Sequence, residues 1–124
     1  MRAQVRLAVA IVSLAFVVAA HGAALGRPAV AQPELIEVAL SEYLFTPSVV
    51  AVPPGTARLN LTNVGARRHN MVVFVNGIEL ESATLPPGDS LVWELALDRT
   101  ATYQFWCNMY RHLEKGMVGE IAVQ

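Results

Sequence analysis

The stretch FWCNMYRHLEKGMVGEIAV, residues 105–123, sets three potential metal donors at equal spacing. Cys107, His112 and Met117 follow one another at intervals of five residues. Thiolate and thioether are soft donors and imidazole suits copper and zinc, so the pattern fits a transition metal. Cys107 is also the one cysteine of the chain and cannot form an internal disulfide. Three roles stay open for it: a buried inert side chain, a nucleophile or a metal ligand.

The elements around these residues are expected to bring them together. In residues 103–107 the two-residue period of a strand turns Cys107 toward the core at the end of the strand. The chain then loops through residues 108–116 and begins the next predicted strand at Met117. Because the end of one strand and the start of the next are adjacent, Cys107, His112 and Met117 can converge on one point.

A fourth donor must come from elsewhere in the chain. His69 follows the loop 64–68 between two predicted strands, and it is the one other histidine outside the N-terminal segment. Two imidazoles and a thiolate in a trigonal plane, with a weak axial methionine, form the electron-transfer copper site. Structural zinc usually takes four Cys or His ligands and catalytic zinc keeps a water position, so a thioether donor argues against both.

Two further residues compete for the axial position. Met109 has a thioether, but it follows Cys107 too closely to approach the site from the opposite side. Glu114 offers a carboxylate, which would give a differently coloured and less reversible site. Two of the donors also have an ordinary interpretation, His69 as a loop histidine and Met117 as a core residue.

Residues 1–31 are typical of a secretory signal peptide. Arg2 and Arg6 give a positive start, residues 7–20 contain a single polar side chain, and the small residues 29–31 predict cleavage after Ala31. The alternative is an uncleaved anchor, although this apolar run is shorter than the roughly 20 residues that span a bilayer. We expect general secretory export to the periplasm or the extracellular face, with membrane association only if the segment is retained.

Residues 32–124 then form one small domain of 93 residues. It keeps six of the nine Lys and Arg residues and all ten Asp and Glu residues, which gives a net charge of −4. This charge argues against nucleic-acid binding, which needs a basic face. We expect the domain to be a monomer.

The sequence of this domain predicts β-structure. Strands are predicted over residues 35–40, 57–61, 72–75, 91–97, 102–107 and 118–123. Residues 72–75 are continuously apolar, as in a strand covered on both faces. Turn signals occur at Thr46-Pro47-Ser48, Pro53-Pro54-Gly55, Asn76-Gly77 and Pro86-Pro87-Gly88. About seven or eight short strands without a long helical pattern indicate an all-β antiparallel sandwich or barrel.

These motifs together resemble those of the cupredoxins, the plastocyanin and azurin group of blue copper proteins. Within residues 34–124, EYLFTPSVVAVPPGTARLNLTNVG is similar to the N-terminal strands, HNMVVF to the segment with the first ligand, and TYQFWCNMYRHLEKGMVGEIAV to the ligand loop and last strand. The resemblance implies a cupredoxin-like Greek-key sandwich that holds one type 1 copper, cycling between Cu(I) and Cu(II). The implied ligands are His69, Cys107, His112 and Met117.

The resemblance also implies supporting residues, with two departures. Asn70 corresponds to the family's asparagine that braces the ligand loops. Many relatives have Ser or Thr after the cysteine to meet it, where this chain has Asn108. Many have Pro-Gly before the second histidine, where this chain has Tyr110 and Arg111, so we expect a bulkier and more charged loop.

The implied function is outer-sphere transfer of single electrons between redox proteins, and not enzyme catalysis. His112 corresponds to the family's exposed exit ligand, with Met109, Tyr110 and Leu113 beside it as an apolar docking patch. Trp106, next to the thiolate, marks either a second electron route or ordinary packing. Two alternatives remain: an exported copper carrier or scavenger without a redox role, and a structural sandwich without metal.

Charge placement adds a prediction about the partner. Four of the six cations in residues 32–124 lie in the ligand loops: Arg67, Arg68, Arg111 and Lys115. A basic copper end on an acidic protein would steer it toward redox proteins with an acidic docking surface. The alternative is a scatter of solvated charges.

Overall fold

The structure is a computed structural model that describes residues 25–124. Residues 31–124 form one unit, built almost entirely from strands. The nine strands in the described residues are β1 (Leu35–Ser41), β2 (Leu44–Thr46), β3 (Val49–Val52), β4 (Gly55–Asn63), β5 (Val72–Val75), β6 (Ile78–Glu81), β7 (Ser90–Leu97), β8 (Thr102–Trp106) and β9 (Val118–Val123). A short 3-10 helix, Leu113–Lys115, lies between β8 and β9.

Hydrogen bonds group these strands into two sheets. One has the order β2-β1-β4-β7 and the other the order β3-β9-β8-β5-β6. The predicted β-sandwich is confirmed, but its two sheets are mixed and not purely antiparallel as predicted. The break at Pro47 separates β2 from β3. The pairs β1–β4 and β3–β9 are parallel. After β2 the chain passes to the second sheet for β3 and returns to the first sheet in β4.

Local sequence patterns account for the individual strands. Buried residues in β4 alternate with more exposed ones, as expected of a half-buried strand. Asn76 and Gly77 close the β5–β6 hairpin with φ values of 50° and 86°. Two positive φ values in a two-residue turn match the twist of the strands that it joins. The Asn-Gly signal therefore fixes the pairing of β5 with β6.

The core lies between the two sheets. Leu59 and Leu61 of β4 are fully buried, and the rings of Phe45 and Phe105 meet edge to face with their centroids 4.9 Å apart. Each such side chain contributes about 1.5–3 kcal/mol on burial. Phe105 crosses β9 at Gly119, where a Cβ atom would overlap the phenyl ring. The core therefore fixes β8 against β9, the two strands on either side of the loop 107–117.

One prediction about strand 72–75 is correct only in part. Val73 and Val75 point into the sandwich. On the opposite face, Val72 is 1% exposed, whereas the side chain of Phe74 is 48% exposed. The outer face of this strand is therefore covered at Val72 and open at Phe74, which remains apolar on that surface.

The predicted signal peptide, residues 1–31, lies largely outside the described residues. In the described part of the chain, no helix has the length and apolar character needed to cross a membrane.

Candidate metal centre

Strand adjacency brings three of the predicted donors together. Cys107 directly follows β8 and Met117 directly precedes β9, and these two strands are antiparallel neighbours. The Cys107 amide donates to the Met117 carbonyl (3.1 Å), and the Met117 amide donates to the His112 carbonyl (3.1 Å). The loop between β8 and β9 is thereby closed at its base, with His112 inside it.

His69 reaches the same place from the loop between β4 and β5. It forms an isolated antiparallel bridge with Leu85. The His69 amide donates to the Leu85 carbonyl (3.2 Å), and the Leu85 amide donates to the His69 carbonyl (2.8 Å). β5 begins shortly after His69 and pairs with the end of β8, Val72 opposite Trp106, so His69 lies beside Cys107.

The donor atoms of His69, Cys107 and His112 all lie within 4.8 Å of one another. The Sγ atom of Cys107 is 4.0 Å from Nδ1 of His69 and 3.4 Å from Nδ1 of His112. Both rings therefore turn the same nitrogen toward the thiol. His69 and Cys107 are fully buried, and His112 keeps only 6% of its surface exposed.

These separations fit a metal ion. Bonds of the lengths usual for imidazole and thiolate would place N and S about 3.8 Å apart in a trigonal plane. Met117 is fully buried and its backbone is hydrogen-bonded to Cys107 and His112, so its thioether is the candidate fourth donor. Two imidazoles, one thiolate and one thioether fit one type 1 copper.

The electrostatics of the pocket favour a bound cation. Burial raises the pKa of the Cys107 thiol. Burial, and then the neighbouring His69, lowers the pKa of His112. A thiolate in this pocket is therefore unfavourable by itself and needs a positive charge beside it, which a coordinated metal ion supplies.

The predicted bracing residues contact each other. Asn70 Nδ2 donates to Asn108 Oδ1 (2.7 Å) and to Glu81 Oε1 (2.7 Å), and the Asn108 amide donates to Asn70 Oδ1 (3.1 Å). The loop that carries His69 is thereby tied to the loop that follows β8. Asparagine at position 108 makes the contact through both its backbone and its side chain.

The competing axial candidates lie differently. The side chain of Glu114 is 69% exposed, and it accepts a hydrogen bond from Nε of Arg111 (3.2 Å). Met109 is partly buried against the core. Arg111 has a φ of 61°, a left-handed conformation that glycine adopts most easily. The loop thus has a glycine-like backbone at Arg111, the position where the family resemblance implies glycine.

The predicted docking residues lie in the two loops that carry the donors, and Trp106 lies directly before Cys107. Tyr110 is 88% exposed and Leu113 about half exposed, next to the nearly buried His112. The side chains of the four loop cations, Arg67, Arg68, Arg111 and Lys115, are exposed. The Lys115 ammonium lies 4.1 Å above the ring of Tyr43, whose edge contacts the His112 ring. Trp106 lies partly buried at the end of β8, on the face opposite to Phe105.

Sequence reasoning missed Glu42, in the turn between β1 and β2. Nε2 of His69 donates to Oε1 of Glu42 at 2.9 Å. This hydrogen bond, followed by one from the Ala66 amide, lowers the pKa of Glu42 to about 2. Glu42 and His69 are 27 residues apart, and no spacing rule connects them.

The fold and donor set define a small copper-binding β-sandwich. The chain belongs to the cupredoxin-like family, because it matches the model of the cupredoxin-like domain over residues 7–122. The family and the donor cluster together support a copper electron carrier. The comparison with curated proteins gave no match.

Solved structures share the fold. An auracyanin from the photosynthetic bacterium Roseiflexus castenholzii is 22% identical, with a TM-score of 0.65 over 73% of this chain and 96% of that chain. Auracyanin A, a blue copper protein from Chloroflexus aurantiacus, is 17% identical, with a TM-score of 0.65 over 75% of this chain and 100% of that chain. A copper-containing nitrite reductase from Thermus scotoductus is 21% identical, with a TM-score of 0.58 over 76% of this chain and 23% of that chain.

Proposed function

We propose that the chain is an exported electron carrier with one type 1 copper. Nδ1 of His69, Sγ of Cys107, Nδ1 of His112 and the thioether of Met117 would hold the ion. The observation that carries this proposal is the convergence of three buried donor atoms within 4.8 Å. The predicted leader supports export to the periplasm or the extracellular face.

A bound copper ion would supply one-electron chemistry between Cu(I) and Cu(II). The protein's part is to keep the donors in one arrangement for both oxidation states. The bridge at His69, the closed base of the loop 107–117 and the Asn70–Asn108 contact all oppose movement of the ligands. Little rearrangement then accompanies the gain or loss of an electron, which favours outer-sphere transfer.

His112 is the proposed exit for the electron. It is the proposed ligand with an exposed edge, and Met109, Tyr110 and Leu113 lie beside it in sequence. The exposed side chains of Tyr110 and Leu113 suit an apolar contact with a partner protein. Trp106 is retained as a second proposed route, since it directly precedes Cys107 and is partly exposed.

Steering by charge is part of the proposal. Arg67 and Arg68 are exposed in the loop before His69. Arg111 is paired with Glu114, so it contributes less to the field than its position suggests. The partner would be a redox protein with an acidic docking surface, met by a monomer of this chain.

Electron transfer without catalysis is the proposed role. Copper enzymes such as the nitrite reductase from Thermus scotoductus contain the same fold within a longer chain, of which this one covers 23%. His69 and His112, the two histidines outside the predicted leader, are both assigned to the proposed centre. A second copper centre would need histidines in addition to these two.

The test is to load the full chain with Cu(II) and record visible absorption and electron paramagnetic resonance spectra, beside Cys107→Ser. We expect an intense thiolate band and narrow copper hyperfine splitting in the wild type, and loss of both in the variant. A colourless wild type would contradict the proposal. A coloured protein that releases copper quickly to a chelator would instead support the copper carrier or scavenger.

A further inference from the structure

The carboxylate of Glu42 receives three hydrogen bonds at the edge of the metal centre. Oε1 accepts from Nε2 of His69 (2.9 Å) and from the Arg67 amide (2.7 Å), and Oε2 accepts from the Ala66 amide (3.1 Å). The Glu42 side chain is 27% exposed, whereas the side chain of His69 is fully buried. The carboxylate thus lies between solvent and the buried ring.

The loop before His69 is shaped around this carboxylate. A Cβ atom on Gly65 would lie 2.6 Å from Oε1 of Glu42, so only glycine leaves room for the carboxylate. The buried side chain of Asn63 accepts from the Gly65 amide (2.9 Å) and donates to the carbonyls of Arg67 (2.7 Å) and Leu85 (2.8 Å). Two amides of this loop, of Ala66 and Arg67, then point at Glu42. The contact therefore depends on the arrangement of the whole loop and not on one mobile side chain.

This contact fixes the proton on His69. An ionised carboxylate can only accept hydrogen bonds, so Nε2 must carry the proton. Nδ1, which faces Sγ of Cys107 at 4.0 Å, then keeps its lone pair free. The orientation and the tautomer of the ring are both those that a metal at the centre requires.

We propose that Glu42 is a positioning residue of the copper site, an inference that rests on the proposed function. Glu42 holds His69 in the tautomer that binds the metal, and it favours Cu(II) over Cu(I). A carboxylate on the outer nitrogen makes the imidazole a stronger donor. It also places a negative charge near the ion, which stabilises the higher oxidation state more than the lower one. Glu42 therefore sets the reduction potential below the value that the four ligands alone would give.

The experiment measures the reduction potential of the copper-loaded full chain in four forms. Glu42→Gln keeps the size of the side chain and removes its charge. Gly65→Ala leaves the carboxylate in the chain but displaces it from His69. Glu37→Gln is the matched control, because Glu37 lies on β1, carries the same charge and contacts Asn60 instead of a proposed ligand. Thermal unfolding of each metal-free form checks that it is folded.

We expect Glu42→Gln to reduce the preference for Cu(II) over Cu(I) about tenfold, which raises the potential by about 59 mV. Gly65→Ala should shift the potential in the same direction, and Glu37→Gln should change the preference less than threefold. Nitrogen NMR of the Cu(I) form should show a slowly exchanging proton on Nε2 of His69 in the wild type, exchanging faster in Gly65→Ala.

Two results would overturn the role of Glu42, and they are distinguishable. A coloured wild type whose potential changes no more in Glu42→Gln and Gly65→Ala than in Glu37→Gln would refute this role alone. A wild type without the thiolate band would refute the proposed copper function, and the role of Glu42 with it.

Discussion

At the scale of single residues, the metal centre is a pocket of three buried side chains whose donor atoms face one another. The Cys107 thiol has one proton, which it can donate to one imidazole at a time, whereas two Nδ1 atoms face its sulfur at 3.4 and 4.0 Å. A metal ion would accept both lone pairs and the thiolate together. The two buried imidazoles and the thiol are therefore better satisfied with an ion than by one another.

Met117 and Met109 provide a test of the axial position. Replacing methionine by leucine nearly conserves volume and costs less than about 1.5 kcal/mol of stability in the metal-free protein. We expect Met117→Leu to raise the reduction potential, because losing an electron-donating thioether disfavours Cu(II). Met109→Leu is the control and should leave the spectrum and potential unchanged. Voltammetry measures the reduction potential of the two variants. Equal shifts in both, or a shift in Met109→Leu alone, would contradict the assignment of Met117 as the axial ligand.

At the scale of elements, the sequence predicts the part of the site that strand adjacency creates. Cys107 and Met117 are placed by neighbouring strands that share one loop, so a two-residue period and a loop length were enough to bring them together. Glu42 could not be found in this way, because its contact with His69 joins two loops that are distant in sequence. The left-handed backbone of Arg111 was also unpredictable, since the residue type disfavours it.

The topology of the sheets shows the same limit. Alternation and turn signals located the strands, but the parallel pairs β1–β4 and β3–β9 depend on where the chain passes from one sheet to the other. Alternation indicates which face of a strand is buried and does not indicate its partner. For Phe74, an apolar residue on an outer face misled even that inference.

The tie between the two ligand loops leads to a prediction about stability. Asn70→Ala removes the acceptor of the Asn108 amide and the donor to Glu81. We expect the metal-free protein to lose about 1–3 kcal/mol, because the three partly buried hydrogen bonds of the Asn70 side chain are lost together. Copper should also dissociate faster, since the two loops are no longer held together. Denaturant unfolding and a chelator competition measure the two effects.

Asn60→Ala is the control for this variant. Asn60 donates one exposed hydrogen bond to Glu37, so its loss should change stability by less than about 0.5 kcal/mol. If the two variants were equally stable and released copper at the same rate, the Asn70–Asn108 contact would have no bracing role.

At the scale of the whole molecule, charge is distributed unevenly along the chain. Residues 32–124 carry a net charge of −4, yet Arg67, Arg68, Arg111 and Lys115 all lie in the loops around the metal centre. Glu42 and Glu114 offset part of this charge, the first beside His69 and the second paired with Arg111. Among the described residues, Arg67, Arg68 and Lys115 form no salt bridge with a carboxylate, so electrostatic steering should depend on these three cations more than on Arg111.

This distribution predicts how electron transfer responds to salt. We expect oxidation of the Cu(I) protein by the anion hexacyanoferrate(III) to slow as salt rises, because the Debye length shrinks from about 30 Å at 0.01 M to about 8 Å at 0.15 M. Arg68→Glu should slow the reaction at low salt and flatten its salt dependence. Arg99→Glu changes the net charge by the same amount, but Arg99 and Cys107 lie at opposite ends of β8. The rate and the salt dependence of this variant should therefore match those of the wild type. The rates are measured by stopped flow. If the wild-type rate were flat or rose with salt, or if both substitutions changed it equally, net charge and not a basic copper end would govern the encounter.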